Sequence, residues 1–575
     1  MLKLTFGTPE EHVPSKYCPT FHYTPSEIQF PIDTISFRVN NRGCVLSFPL
    51  DNDAQVYGFG LQLKQFNHRG RKLKLSVNAD PIAPTGDSHA PVPFFVTNKG
   101  WGIYVDTARY AEFYCGNQMN PAFGGGKATA AAEEVTHKEV ATSTDELYAL
   151  RQESDQTMTI QIPGCQGVDV YIFEGDTITD IVSQYNMLSG GGCDVPEWGL
   201  GVLYRCYSRY TDQQVIGIVD EMQSKDLPLH IIGLEPGWQN RTYSCNYLWS
   251  DLYPDPNRFL AEMKARGIHV NLWQHAFTHP TAPIHDALAP YSADTLVWSG
   301  LVPDFTIPEA RKIFADYQKT LVAAGADGFK LDECDSSDYT GSWSFPLSAQ
   351  FPSGMDGEQY HSMFGLLYSQ VMMDALGDTQ TLSEVRNMGA LASPYPFVLY
   401  SDLYDHQDFI RGMTTAPFSG LLWSPELRDA GSREELLRRL QVVVFSVQCL
   451  INAWYCPDLP WREFGCEDEV RELLKLRVRL MPRLQEAFRL YKATGKPPVR
   501  ALVMDYTNDP EVANMDDEYL FCEDLLVAPI AAGKGNCRDV YLPQGSWEDF
   551  FTGEPVAPGW HKVTTEGIPV YRKVN

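Results

Sequence analysis

The sequence predicts a multidomain protein of mixed α/β and β class, with a (β/α)8 TIM barrel between an N-terminal β-sandwich and a small C-terminal β-domain. The chain has 575 residues, too many for one compact core. Short strand-like runs fill residues 1–190, strand and helix patterns alternate over 191–495, and strand-like runs return over 496–575. We take these three ranges as the predicted domains.

The N-terminal range is predicted as an antiparallel sandwich because its apolar runs are short and separated by Gly and Asn. Representative runs are Thr34–Val39, Gly102–Val105 and Met158–Ile162. The Gly/Ala-rich stretch 124–132 is predicted as an exposed loop.

The middle range alternates strands with helices, which is typical of a barrel of parallel strands. The predicted strands are Leu229–Leu234, His269–Trp273, Gly328–Leu331, Pro396–Tyr400 and Gly420–Trp423, and the predicted helices are Pro256–Arg266 and Glu309–Ala324. A long amphipathic helix over Glu467–Ala493 closes the range, and Pro482 is expected to kink or split it. Strands at Asp524–Pro529 and Asp539–Pro543 then indicate the C-terminal β-domain.

Composition excludes several classes of function. There are 46 Lys and Arg against 73 Asp and Glu, so the net charge of −27 argues against binding to nucleic acid. The 13 cysteines form no CxxC pair and no zinc-type spacing, which favours reduced thiols in a cytoplasmic protein without a metal. No signal peptide or apolar membrane span is predicted. Whether the chain self-associates is left open.

Polar and aromatic residues follow the predicted barrel strands, where barrel enzymes place their chemistry. They are Glu235, Trp273, His275, Asp332, Glu384, Arg386, Asp402 and Trp423. Aromatic faces and carboxylates together suit a sugar. Two carboxylates can hydrolyse a glycosidic bond when one is ionised and the other protonated, about 5–5.5 Å apart in a retaining enzyme. Asp332 and Asp402 are the candidate pair.

Several motifs resemble the retaining α-glycosidases of glycoside hydrolase family 31. They are HVNLWQH, GFKLDECD and FVLYSD in the barrel, YGFGLQLKQFN and PVPFFVTNKGWGIYVDT before it, and LRVRLMPRLQEAFRLYKATGKPPVRAL, EYLFCEDLLVAPI and VYLPQGSWEDFFTGE after it. The resemblance covers most of the chain in the family's order. It implies a retaining exo-α-glycosidase that acts on a glycoside or oligosaccharide without a cofactor.

The resemblance also assigns roles. Asp332, after the fourth barrel strand, resembles the nucleophile, and Asp402 resembles the acid/base, with Ser401 in place of the usual Gly. That departure leaves Asp405 as a second candidate. The remaining candidates, which would bind the substrate, are Glu235, Trp273, His275, Lys330, Cys334, Arg386 and Trp423.

The segment Trp423-Ser424-Pro425-Glu426 lacks the family's usual His, and together with LDECD and YSDLYDH it resembles an α-galactosidase-like branch. Release of terminal α-galactose is therefore the main expectation. An α-glucosidase, α-xylosidase or α-N-acetylgalactosaminidase is the alternative.

Plainer interpretations remain. Asp332 could cap a helix, Asp402 could belong to a turn, and the tryptophans could be core. A sugar-binding barrel without catalysis, a transglycosylase or lyase, and a metal-dependent hydrolase using His275 and His279 are rival functions.

Overall fold

The computed structural model describes residues 1–117 and 157–574. The loop predicted at 124–132 lies outside these residues.

The N-terminal part is a sandwich of two five-stranded antiparallel sheets. Its strands are β1 (Leu2–Thr8), β2 (Ser36–Asn40), β3 (Gly43–Pro49), β4 (Val56–Gly60), β5 (Lys72–Lys74), β6 (Pro91–Thr97), β7 (Trp101–Asp106), β8 (Glu112–Cys115), β9 (Thr157–Pro163) and β10 (Gln166–Glu174). The sheets have the orders β1-β10-β7-β6-β4 and β2-β3-β9-β8-β5. Their inner faces share one core, in which Phe59 packs on Phe95 and Phe113 at 5.4 and 4.9 Å between ring centroids.

Helix α1 (Ile178–Leu188) links the sandwich to the barrel. It begins at a capping box, in which Thr177 and Asp180 satisfy each other's free backbone N–H groups.

The central part contains eight parallel strands and an inserted hairpin. The strands are β11 (Val202–Arg205), β12 (Ile231–Leu234), β13 (His269–Gln274), the hairpin β14 (Ser292–Val297) and β15 (Gly300–Pro303), β16 (Gly328–Leu331), β17 (Ser383–Val385), β18 (Phe397–Leu399), β19 (Glu426–Leu427) and β20 (Cys449–Asn452). The parallel sheet has the order β18-β17-β16-β13-β12-β11-β20-β19. A parallel bridge joins Leu399 in β18 to Trp423, which lies shortly before β19, and this contact closes the barrel.

The helices of this part are α2 (Asp212–Ser224), α3 (Pro256–Ala265), α4 (His285–Leu288), α5 (Pro308–Ala324), α6 (Gly357–Leu376), α7 (His406–Thr415), α8 (Arg433–Val444) and α9 (Glu467–Thr494). One predicted strand was wrong in detail. Residues 420–423 do not form the seventh strand, which is the short β19, because Gly420 turns the chain there with a left-handed φ of 67°. Pro482 lies inside α9 without splitting it.

The C-terminal part is a small antiparallel β-domain. It contains α10 (Leu502–Asp505) and the strands β21 (Val499–Ala501), β22 (Tyr519–Phe521), β23 (Leu525–Val527), β24 (Cys537–Leu542), β25 (Ser546–Asp549), β26 (Pro555–Val556), β27 (Gly559–Thr564) and β28 (Val570–Val574). Six of these strands form one sheet, and β24 pairs with β27. The predicted fold class is thus confirmed, while the boundaries at 190/191 and 495/496 remain proposals.

Arg411 on α7 ties the three parts together. Its Nη1 donates to the carbonyl of Leu63 in the sandwich at 2.7 Å, and its Nε donates to Asp516 near the C-terminal sheet at 2.6 Å. Helix α7 follows the loop that carries Asp402, so these contacts fix the C-terminal end of that loop. Among the described residues, no helix combines the length and the apolar character needed to cross a bilayer.

Candidate active site

Asp332 lies directly after β16, the fourth strand of the barrel, and is 7% exposed. Trp273 donates its indole N–H to Oδ2 at 2.6 Å, and the backbone N–H of Glu333 donates to Oδ1 at 2.9 Å. Glu333 has a left-handed φ of 53°, a conformation that costs energy in a residue with a side chain and is often found at active sites. The carboxylate of Asp332 is therefore held in one orientation.

Arg386 joins the two candidate carboxylates. It follows β17, and its Nη1 contacts both Oδ1 of Asp332, at 3.3 Å, and Oδ2 of Asp402, which follows β18. Two oxygens bonded to one nitrogen lie within about 6 Å of each other. This limit includes the spacing of about 5–5.5 Å that retaining glycosidases need. The structure thus brings together the pair that the sequence predicted.

The charge of Asp402 is set by its cationic neighbours. Burial alone would raise the pKa of this carboxyl, but Arg386, Arg428 and Lys330 outweigh burial and hold the pKa well below its usual range. The Asp402 side chain is still 57% exposed, so the site is open to an incoming ligand. In the unliganded protein this carboxylate is ionised.

Asp405, the second candidate for the acid, serves a structural purpose. It is the N-cap of α7 and accepts the N–H of Asp408 at 2.9 Å. It lines a separate cavity of about 460 Å³ with residues of α8 and the C-terminal domain, among them Glu435 and Lys534. The geometry therefore favours Asp402 over Asp405.

Glu235 and Lys330 lie one layer deeper in the barrel. Nζ of Lys330 and Nη1 of Arg205 contact the Glu235 carboxylate at 3.1 and 2.9 Å, and Nη2 of Arg205 contacts Glu384 at 2.7 Å. The side chains of both glutamates are no more than 2% exposed. Glu235 and Lys330 thus neutralise each other beneath the site. Arg205, which the sequence reasoning missed, is the centre of this network.

Trp273 and His275 belong to an aromatic cluster beside Asp332. Nε2 of His275 donates to the carbonyl of Thr242 at 2.7 Å, and burial lowers the pKa of this imidazole to about 4, although Asp332 acts to raise it. The ring of Tyr243 covers both side chains at 5.8 and 5.7 Å and is itself 49% exposed. The aromatic face available to a sugar is therefore that of Tyr243, which the sequence reasoning missed because this residue lies in a loop.

Two more of the predicted substrate-binding residues, besides Glu235 and Lys330, do not reach the site. Cys334 is 1% exposed, and burial raises the pKa of its thiol well above the usual range. Trp423 donates its indole N–H to the carbonyl of Phe409 at 3.1 Å and packs against Gly412 on α7. Side chains alternate between the barrel interior and the helix layer along an extended segment, and Trp423 points to the helices.

Two further acids complete the site. Glu333 is 7% exposed, and burial, together with the charge of Asp332, raises its pKa well above the usual range and favours the neutral carboxyl. Oδ2 of Asp335 accepts from Nε of Arg386 at 3.3 Å and thereby orients that guanidinium. The acidic run LDECD was the sequence signal for both. No three His, Cys, Asp or Glu residues in the described part of the chain are grouped to hold a metal ion.

A closed eight-stranded barrel with two aspartates facing each other across strand ends is typical of the barrel glycosidases. Comparison with known proteins gives the family. The chain matches the glycosyl hydrolases family 31 TIM-barrel domain over 193–487, the family 31 C-terminal domain over 495–575, and the glycosyl hydrolase 31 N-terminal galactose mutarotase-like domain over 26–113. The protein belongs to glycoside hydrolase family 31.

Individual relatives are distant. An α-xylosidase from Emericella nidulans is 22% identical over 86% of this chain, and alpha-glucosidase 2 from Bacillus thermoamyloliquefaciens is 24% identical over 92%. The chain spans 61% and 68% of their respective lengths. It spans 64% of another similar protein, α-xylosidase XylQ from Lactiplantibacillus pentosus. These relatives do not support the predicted α-galactosidase-like branch.

Solved structures share the fold. The family 31 dextranase from Flavobacterium johnsoniae, solved with isomaltotriose, superposes with a TM-score of 0.79 at 21% identity, covering 94% of this chain and 67% of that one. The cycloalternan-degrading enzyme from Trueperella pyogenes superposes with a TM-score of 0.75 at 20% identity, covering 97% and 85%.

Proposed function

We propose that this protein is a retaining exo-α-glycosidase that releases a terminal α-linked glucose or xylose. The observation that carries the proposal is the contact of one nitrogen, Nη1 of Arg386, with both Asp332 and Asp402. The choice of sugar follows the names of the relatives, which are α-xylosidases and an α-glucosidase. The α-galactoside expected from the sequence is kept as a substrate to be tested.

In the first step an oxygen of Asp332 attacks the anomeric carbon. The glycosidic C–O bond breaks, its electron pair goes to the leaving oxygen, and Asp402 supplies the proton to that oxygen. The product is a β-linked glycosyl ester of Asp332. The hydrogen bond from Trp273 holds the attacking carboxylate in place during this step.

In the second step Asp402, now ionised, removes a proton from water. The water oxygen attacks the anomeric carbon and the bond to Asp332 breaks, so two inversions restore the α configuration. Tyr243 at the entrance provides the aromatic surface for the ring that is released or for its leaving group.

Proton donation requires a change at Asp402. Arg386 and Arg428 keep this carboxyl ionised in the unliganded protein. A sugar bound against Asp332 occupies the space between the two carboxylates, separates Asp402 from Arg386 and excludes water. Loss of the cation and loss of solvent both raise the pKa of a carboxyl group, which prepares it as an acid.

The test begins with aryl α-glycosides of glucose, xylose, galactose and N-acetylgalactosamine. Activity on the glucoside or xyloside with an α-configured first product is expected. Asp332→Ala should abolish turnover of every substrate, whereas Asp402→Ala should retain turnover of a dinitrophenyl glycoside, whose leaving group needs no proton. Asp405→Ala is the matched control and should retain turnover of all leaving groups.

Azide distinguishes the two roles. In Asp402→Ala, the space left by the carboxylate lets azide attack the glycosyl-enzyme, which gives an α-glycosyl azide. In Asp332→Ala, azide in the corresponding space attacks the substrate itself, and one inversion gives the β-azide. An α-azide from Asp332→Ala together with a β-azide from Asp402→Ala would reject the roles assigned to Asp332 and Asp402. Sugar binding without turnover would support the non-catalytic barrel, and transfer to sugar acceptors in preference to water would support a transglycosylase.

A further inference from the structure

His89 belongs to the N-terminal sandwich, yet its imidazole lies beside the barrel's catalytic pair. It precedes β6 and is completely buried. Nδ1 lies 3.0 Å from Oδ2 of Asp335, and Nε2 lies 2.7 Å from Oγ of Ser401. Its backbone carbonyl accepts from Asn387 at 2.6 Å, which anchors the segment to the barrel.

The hydrogen-bond network assigns the proton on this ring. The Asp335 carboxylate, which also accepts from Arg386, can only accept, so Nδ1 of a neutral His89 carries the proton. Nε2 then accepts from the Ser401 hydroxyl. Oγ of Ser401 in turn accepts the backbone N–H of Leu403 at 3.1 Å. Each donor and acceptor in this chain therefore has at least one partner.

His89 thus acts on Asp402 from two sides. Through Asp335 it holds the guanidinium of Arg386, whose Nη1 contacts Asp332 and Asp402. Through its hydrogen bond with Ser401 it fixes the backbone turn of residues 401–403, and Asp402 lies in this turn. Both contacts come from a different domain than the catalytic carboxylates.

We propose that His89 is a positioning residue that sets the place of Asp402 relative to Asp332, so that the N-terminal sandwich completes the active site. The proposal rests on the proposed function, because that function gives Asp402 its role. A displacement of a catalytic group by about 1 Å can cost about 100-fold in rate. The position of His89 is therefore expected to affect proton transfer more than sugar binding.

Two substitutions separate the two contacts. The amide of Asn reaches about as far as Nδ1, so His89→Asn keeps the bond to Asp335 and loses the bond to Ser401. The amide of Gln reaches about as far as Nε2, so His89→Gln does the reverse. His68→Asn is the matched control, because His68 is an equally buried histidine of the same domain whose ring nitrogens have no hydrogen-bond partner among the described residues.

We expect His89→Asn to lower kcat for an alkyl or phenyl glycoside by about 30–100-fold. For a dinitrophenyl glycoside, kcat should fall by less than about threefold, and KM should change little for either substrate. Ser401→Ala removes the same bond from its other end and should give the same signature. The double variant should lose no more than either single variant, because the pair acts as one unit. His89→Gln should lower turnover of both substrates, because Arg386 also orients Asp332. His68→Asn should show no dependence on the leaving group.

Equal losses on both substrates in His89→Asn, or additive losses in the double variant, would overturn the proposal. A crystal structure of His89→Asn gives a second test that needs no activity. We expect the Asp402 carboxylate to move away from its present position relative to Asp332, and an unmoved Asp402 would also overturn the proposal. If the wild type hydrolyses no glycoside, the proposed function fails, and the crystal structure alone decides whether His89 positions Asp402.

Discussion

Trp273 and Asp332 are joined by a hydrogen bond of 2.6 Å between the indole N–H and Oδ2. The two residues end neighbouring strands, because β13 pairs with β16 in parallel and Trp273 is in register with Lys330. The indole is 1% exposed, so its ring is part of the barrel and only its N–H serves the site. Trp273 therefore orients the carboxylate and does not stack on the sugar.

Trp273→Phe should lower kcat about 10- to 100-fold. Phe keeps an aromatic ring, although a smaller one than the indole, and one hydrogen bond to a charged group, with a contribution of about 1.5–3 kcal/mol, is lost. Kinetics on a dinitrophenyl glycoside measure the effect on the nucleophile. Trp461→Phe is the control, since Trp461 is equally buried but its indole N–H has no hydrogen-bond partner in the part of the chain that the structure describes. An unchanged kcat in Trp273→Phe would show that Asp332 needs no help from the indole.

Arg205→Met should destabilise the barrel by about 3–5 kcal/mol. The substitution leaves Glu384 without its guanidinium partner and Glu235 with Lys330 alone, and an unpaired buried carboxylate is costly. Thermal unfolding measures the loss. Adding Glu384→Gln removes one of the stranded charges and should restore part of the stability.

The matched control for Arg205 is an ion pair on the surface. Lys312 and Asp316 pair on α5 with side chains 75% and 46% exposed. Lys312→Met should change stability by less than about 1 kcal/mol, because exposed pairs contribute little. Similar losses in Arg205→Met and Lys312→Met would contradict the importance of the buried network.

The sequence predicted that Asp332 and Asp402, the candidate catalytic pair, lie near each other, because parallel strands end at the same edge of a barrel. It placed Trp423 wrongly because a pattern of apolar residues does not tell which face of a short strand looks inward. It missed Tyr243 and His89 for another reason. One lies in a loop and the other in a different domain, and their contacts depend on how separate parts of the chain pack.

Glu333→Gln should keep kcat within about threefold of the wild type near neutral pH. Burial and Asp332 raise the pKa of this carboxyl and so favour its neutral form, whose charge Gln reproduces. As the pH rises through the raised pKa of Glu333, the wild type should lose activity because Glu333 ionises beside Asp332, whereas the variant cannot ionise. The measurement is the pH dependence of kcat on an aryl glycoside. A loss at neutral pH as large as that of Asp402→Ala would instead make Glu333 the proton donor.

His68 should make the protein less stable as the pH falls. Burial, followed by the charge of Arg71, lowers the pKa of this imidazole to about 3, whereas an unfolded histidine titrates near 6.5. Below about pH 6.5 the unfolded chain therefore binds a proton at this histidine that the folded protein does not bind. The stabilising contribution is fully present above pH 6.5 and is lost progressively as the pH falls towards 3.

Replacing His68 by Phe or by Asn should flatten this dependence. In each variant the unfolded chain no longer binds the extra proton at residue 68. The slope of the unfolding free energy against pH is therefore reduced by up to about 1.4 kcal/mol per pH unit. Phe suits the apolar site, where the imidazole packs edge-on to Phe59 at 5.3 Å, and Asn does not. The two variants should thus differ in stability at pH 7 but share the flatter slope in thermal unfolding between pH 7 and 5. A wild-type slope in both would show that His68 is protonated in the folded protein.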